Sequence, residues 1–297
     1  MAQKDLKSRV ASVKNIQKIT RAMEMVAAAR LRRAEQRIEH LRPYAGAIRR
    51  MTRQAAAAAE NIPSLPILQE HEQVNRVGLV FVTGDRGLAG AFNSQILRAG
   101  LRAAAEHGSE GHEVAYYASG RRGVSSLTFR GLDISGSYTG FTDRPGYANA
   151  REIAEDVMSS YVDGNLDRVE IFYNGYISPL TQEVRRETLL PLQQATILEA
   201  QEEDDEDKTG HHALVEYEPD PEEILQRLIP DYVEISVYRA LLESTASEHG
   251  ARMTAMRSAS DNAGELIESL TLQMNRARQA EITQEIMEVV AGAEALG

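Results

Sequence analysis

At both ends of the 297-residue chain, apolar residues recur at alternating steps of three and four. Ala27, Leu31, Ala34, Ile38, Leu41, Ala45 and Ile48 keep that spacing, which lines them up on one seam of a coiled-coil helix. Leu6, Val10, Val13, Ile16, Ile19 and Met23 carry the stripe toward the N-terminus with less regularity. Pro43 interrupts it and is a candidate kink; Asn61, Pro63 and Pro66 end it. The expectation is one helix over residues 5–59, ~80 Å long at ~1.5 Å per residue. The C-terminal third repeats the pattern with Met256, Ala259, Ala263, Leu266, Leu270, Met274 and Ala277, and no proline follows Pro230. That predicts a second helix over 231–294, roughly 95 Å long. YEPDPEEI, residues 217–224, reads as an extended turn leading into it, with Pro221 suited to a first helical position. Two apolar stripes cannot both stay in water, so the helices are expected to pair antiparallel, with the chain between them inserted at one end.

The intervening stretch has a different rhythm. RVGLVFVT (76–83), EVAYYAS (113–119) and RVEIFYN (168–174) read as buried strands. Helical patterns at about 91–107 and 147–162 lie between them, which suggests a small parallel or mixed sheet. The expected fold is therefore a long antiparallel coiled coil of N- and C-terminal helices with an inserted Rossmann-like α/β domain. Its parts are an N-terminal helix in 1–62, an α/β domain in 73–200, an acidic loop and following segment in 201–220, and a C-terminal helix in 221–297. EEDDED, residues 202–207, reads as a solvated, mobile charge run.

Composition narrows the function. Hydrophobic residues make up 42%, enough for a core, while aromatics are only 5% and Trp is absent; long helices packed through Ala, Leu and Met have this profile. With no cysteine, disulfides, thiol catalysis and Cys-ligated zinc are excluded. No apolar run approaches the ~20 residues that span a bilayer, and no signal-peptide pattern is present. The expectation is a cytosolic protein or one peripheral on a membrane complex. The net charge of −11 conceals a polarity: residues 1–60 carry a net +9, leaving −20 for the rest. A basic segment on an acidic body points to nucleic acid or to an acidic protein surface.

The turn after the first strand, Gly84-Asp85-Arg86-Gly87-Leu88-Ala89-Gly90, has the spacing G-x-x-G-x-x-G. A dinucleotide fingerprint needs G-x-G-x-x-G, and a P-loop needs Gly-Lys-Ser/Thr to hold phosphate and Mg²⁺. Here Ala91 and Phe92 follow Gly90, so the turn reads as a tight exit from a strand, and direct nucleotide binding is not expected. His211 and His212 adjoin the acidic run, and the other five histidines are scattered without H-E-x-x-H spacing. No Ser sits in a G-x-S-x-G elbow. Arg30, Arg32, Arg33 and Arg37 lack interleaved aromatics and share their helix with an apolar seam, which argues against nucleic acid. No catalytic, cofactor-binding or metal-binding residue is assigned. The chain reads as a mechanical or scaffolding subunit.

Three segments together are distinctive: SVKNIQKITRAMEMVAAARLRRA at 12–34, GDRGLAGAFN at 84–93, and ARMTAMRSASDNAGELIESLTLQMNRARQAEITQEIMEVVAGAEAL at 251–296. Over nearly its whole length the chain resembles gamma subunits of bacterial F-type ATP synthases. It departs in the glycine-rich turn, where the family often has Ser at the position of Gly84 and Cys at that of Ala89. The insert at 202–212 looks like a lineage-specific elaboration. The resemblance implies a non-catalytic rotor, peripheral on the cytoplasmic face of the cell membrane. Its coiled coil would be the shaft inside a ring of alternating alpha and beta subunits, with the α/β domain near the epsilon subunit and the membrane c-ring. It implies contact roles for Met23 near the moving beta-subunit lever, and for Arg278, Gln279, Thr283 and Glu285 at the beta-subunit catch loop. Tyr217 and Glu218 match the foot facing the c-ring. No cofactor is implied. A coiled-coil scaffold unrelated to ATP synthesis, and an α/β enzyme with a helical arm, remain as alternatives.

Overall fold

A computed structural model describes residues 3–58, 65–192 and 220–294. Two long helices bound the chain: α1, Gln3–Ala58, and α5, Pro221–Glu294. Contacts divide the chain into two compact units, one of Met1–Ala29 with Arg252–Gly297 and one of Arg30–Ala251.

In the first unit the two helices run antiparallel. The Glu24 carboxylate accepts a 2.8 Å bond from Arg257, and the Thr20 and Ser260 hydroxyls lie 2.6 Å apart. Farther along, Leu6 and Val10 pack with Leu270, flanked by Val13, Ile267, Met274 and Ala277. Two expectations about the seam are corrected here. Ile16 and Ile19 are 53% and 58% exposed; the seam passes instead through Gln17, which donates to the Ser260 carbonyl at 3.3 Å, and through Thr20. Leu266 is 47% exposed, and Ile267 takes the inward position. The three-four alternation holds throughout, but polar residues occupy part of it, so apolar residues alone do not trace it.

The second unit is a layered α/β body. Its five-stranded sheet has the order β3-β2-β1-β4-β5, formed by β1 (Arg76–Val82), β2 (Glu113–Ser119), β3 (Ile134–Tyr138), β4 (Arg168–Tyr176) and β5 (Gln182–Leu190). The first four strands are parallel, and β5 returns antiparallel to β4. Alternation along β1 sorts its side chains between faces. Val77, Leu79 and Phe81 pack with Phe92, Ile96 and Ala103 of α2 (Phe92–Ser109). Val80 and Val82 share the opposite core with Ile153 and Val157 of α4 (Tyr147–Val162) and with Val233, Val237 and Leu241 of α5. A short α3, Arg121–Phe129, links β2 to β3. Gly100 on α2 lets the helix lie directly on the Phe81 ring, where an added Cβ would collide.

The three expected strands and the helices near 91–107 and 147–162 are all present. Edge strands β3 and β5 were not read from the pattern. ISGSY is short, and QEVRRETLL is charged because one face of an edge strand stays solvated. As expected, α1 runs as one helix through Pro43, and Pro221 takes the first position of α5; the start near residue 231 is revised, because α5 runs on through Pro230. In this unit Leu41, Ala45 and Ile48 pack against Leu228, Tyr232 and Ile235, and that packing outweighs a lost intrahelical bond. Among the described residues no helix is long and apolar enough to cross a membrane.

Candidate functional site

The glycine-rich turn leaves β1 at the carboxyl edge of the sheet. Strand order reverses there, between β1 and β4, the place where doubly wound sheets bind ligands. Here the chain fills that crevice itself. The Asp85 carboxylate accepts bonds from the Gly140 amide (3.0 and 2.9 Å), the Thr142 amide (3.2 Å) and hydroxyl (3.0 Å), and the Arg121 amide (3.1 Å). Burial pushes the Asp85 pKa up, but the Gly140, Thr142 and Arg121 bonds outweigh it and hold the carboxyl below its usual range. An internal anion thus ties the glycine-rich turn to the loops after β2 and β3.

The glycines serve close approach of the chain to itself. A Cβ on Gly84 would lie 2.8 Å from the Glu248 carboxylate, and one on Gly87 would lie 2.5 Å from the Arg122 guanidinium. Gly120 has φ +93° and faces the Thr83 carbonyl so closely that a side chain has no space. From α5, the Ser244 hydroxyl donates to the Val82 carbonyl (3.3 Å), Thr245 to the Thr142 carbonyl (2.9 Å) and Ser247 to the Asn174 carbonyl (3.0 Å). The cavity left among Val82, Thr83, Thr142 and Glu248 is about 10 Å³, at most a single water.

A larger cleft of about 570 Å³ opens in the same unit between α1 and the 143–144 turn. Arg30, Arg33, Arg37, His40 and Arg144 line it; Arg30 pairs with Asp143 at 2.8 Å. This is the basic face expected from the N-terminal charge, and it suits an acidic protein surface.

The residues singled out as contacts fall in different environments. Met23 is half-buried on α1. Arg278, Gln279, Thr283 and Glu285 are all exposed on α5, and the Thr283 hydroxyl donates to the Gln279 carbonyl at 2.8 Å. From residue 278 to 291 every position of α5 is exposed, including Ile282, Ile286, Val289 and Val290. That stripe follows i, i+4, i+7, i+8 spacing, a helical signal that the sequence carries. Tyr217, Glu218, His211, His212 and the charge run at 202–207 lie outside the described residues. The structure also joins His107, Glu110 and His112, two of the histidines scattered in the sequence with a carboxylate between them.

Comparison with known proteins agrees with this architecture. A family model described as ATP synthase matches residues 2–296. The ATP synthase gamma chain of Rubrobacter xylanophilus is 45% identical over 295 residues, covering 99% of this chain and 98% of its own. That of Moorella thermoacetica is 44% identical over 293 residues, with 99% and 98% coverage. Among solved structures, a chain from the central stalk/c-ring of the Tetrahymena thermophila mitochondrial ATP synthase is 28% identical, with TM-score 0.60, covering 82% of this chain and 99% of its own. A chain of the Euglena gracilis mitochondrial ATP synthase, 18% identical with TM-score 0.68 and 99% and 94% coverage, shares the fold. With a near full-length family match and relatives above two-fifths identity, this chain belongs to the ATP synthase gamma chain family.

Proposed function

We propose that the chain is the central-stalk rotor of a proton-translocating F-type ATP synthase. In this role it makes no bond itself. It carries rotation of a membrane c-ring to the nucleotide sites on the beta subunits. One observation beyond family membership carries the reading: α5 continues past its seam as an exposed helix with an unpartnered apolar stripe at Ile282, Ile286, Val289 and Val290. A sleeve of alternating alpha and beta subunits gives that stripe a cover which still permits turning. The helices in 1–62 and 221–297 then form the shaft, and the α/β domain of 73–200 lies toward the epsilon subunit. The segment 201–220, with Tyr217 and Glu218, forms the foot on the c-ring. The protein is peripheral at the cytoplasmic face of the membrane.

Torque passes through contacts that form and break. Arg278 offers five donors in a planar fork, and Gln279 both donor and acceptor groups. With Thr283 and Glu285 they present a polar face to a beta-subunit catch loop, while Met23 meets the moving lever. Charge-assisted bonds of this kind contribute about 1.5–3 kcal/mol each when shielded, and water can replace them as the shaft turns.

The test is a complex reconstituted with alpha and beta subunits and carrying Arg278→Ala with Gln279→Ala. Alanine favours helix, so assembly should persist while ATP hydrolysis and proton-driven synthesis fall. Unchanged rates at equal subunit stoichiometry would show that these residues are solvated helix surface. Failure of the wild-type chain to copurify from membranes with alpha and beta subunits would reject the rotor reading itself.

A further inference from the structure

We infer that the turn between α2 and β2 is a binding site for a divalent transition-metal cation of the zinc type, built by His107, Glu110 and His112. The local backbone creates it. α2 ends in a Schellman motif: the His112 amide donates to the His107 carbonyl at 3.0 Å and the Gly111 amide to the Gly108 carbonyl at 3.2 Å, with Gly111 at φ +88°. That motif brings the third-last helical residue against the second residue beyond the cap, commonly as an apolar contact. This chain places a histidine at each of those positions and a carboxylate on the capping residue between them.

The ligand atoms converge. Nδ1 of His107 and Nδ1 of His112 lie 3.4 Å apart. The Glu110 Oε2 lies 3.6 Å from the first and 3.5 Å from the second. Bonds of ~2.0–2.2 Å to a tetrahedral ion give ligand–ligand edges of roughly 3.3–3.6 Å, so the triangle is already the size of one tetrahedral face. The fourth position opens to water, because the Glu110 side chain is 61% exposed and that of His112 is 22% exposed.

The far nitrogen of His107 meets both a carboxylate and a guanidinium. His107 is buried, and its other nitrogen, Nε2, lies 3.3 Å from the buried Glu170 carboxylate. In the tautomer that carries its proton on Nε2, toward the Glu170 carboxylate, His107 presents the Nδ1 lone pair to the ion, as an orienting carboxylate favours; the ion must draw His107 into that tautomer, because Arg186 Nη2 can donate to Nε2 when the proton is on Nδ1. Arg186 holds Glu170 with bonds of 2.8 and 3.1 Å and pairs with Glu106 at 2.9 Å; its Nη2 also lies 3.3 Å from His107 Nε2. Arg186 already balances the buried Glu170, so the Glu110 carboxylate is left to bring negative charge to the ligand triangle. Imidazole with carboxylate suits zinc, cobalt, nickel or copper better than magnesium or calcium. The bound ion would staple the end of α2 to the start of β2.

The test uses the full chain after chelator treatment, in a His211→Gln, His212→Gln background that removes the other adjacent histidines. Calorimetric titration with Zn²⁺ alone should give one equivalent of binding, and the ion should raise the unfolding temperature. Co²⁺ alone should give the visible absorption of a tetrahedral site. His112→Gln and Glu110→Gln, both at solvent-accessible side chains, should each weaken Zn²⁺ binding about 10-fold or more while the far-ultraviolet circular dichroism stays unchanged. Glu170→Gln should weaken it by roughly 10–100-fold, as loss of an orienting carboxylate does. Absence of a one-equivalent site, or a site whose affinity and Co²⁺ spectrum ignore His112→Gln and Glu110→Gln, would overturn the inference.

Discussion

Asp85 shows how one side chain changes the meaning of a motif. Its carboxylate gathers donors from Gly140, Thr142 and Arg121, and an amide in its place cannot accept them all. Asp85→Asn should destabilise the isolated chain by about 1–3 kcal/mol at neutral pH, measured by chemical denaturation. The sign with pH follows from the depressed folded-state pKa. The contribution is complete above the ordinary carboxyl value of about 3.9 and fades as pH falls through the lower folded value. The gap between the two proteins should therefore narrow only in that acid window; a gap constant into strong acid would mean the charge is not responsible. The glycine spacing around Asp85 was legible as a tight turn. The role of Asp85 was not, because its donors lie between 36 and 57 residues farther along the chain.

At the scale of elements, the three-four repeat announced both long helices but misplaced parts of their seam. Hydrophobicity assigned Ile16, Ile19 and Leu266 inward, whereas Thr20 and Ser260 form a buried hydroxyl pair and Ile267 faces the partner helix. Such a polar layer resists a shift of register, since sliding one helix would bury unpaired hydroxyls against apolar neighbours. A direct comparison tests the seam. Ile267→Ala should lower the stability of the isolated chain by about 1–3 kcal/mol, and Leu266→Ala by no more than about 0.5 kcal/mol. The reverse order in thermal unfolding would place the seam back on Leu266.

For the whole molecule, a helix from the last quarter of the chain closes the crevice that a β1 glycine-rich turn ordinarily offers a phosphate. Ser244, Thr245 and Ser247 bond to the ends of the sheet and its loops, and a 10 Å³ cavity remains. The isolated chain should give no stoichiometric heat with ATP or ADP in titration calorimetry. A micromolar site lost on substituting Gly87 or Gly90 would show that the crevice opens and admits nucleotide. The same closure agrees with a subunit that transmits force, because α5 runs through the α/β body as one of its core elements and the sheet is anchored on it.

The sequence by itself determined the two terminal helices, the three central strands with two of their helices, and the lack of phosphate-holding side chains in the glycine-rich turn. Those features are local: backbone geometry repeats every 3.6 or 2 residues, and a few neighbouring residues report it. Family motifs added the assignment to gamma chains, which the relatives support. Tertiary structure decided what periodicity cannot carry. Charged β5 is a strand because β4 offers it a ladder, and Thr20 is interior because Ser260, 240 residues away, satisfies its hydroxyl. His107 and His112 become a pair of convergent nitrogens only once Gly111 turns the chain back on the end of α2. In each case burial of a polar group depends on a partner supplied by the fold.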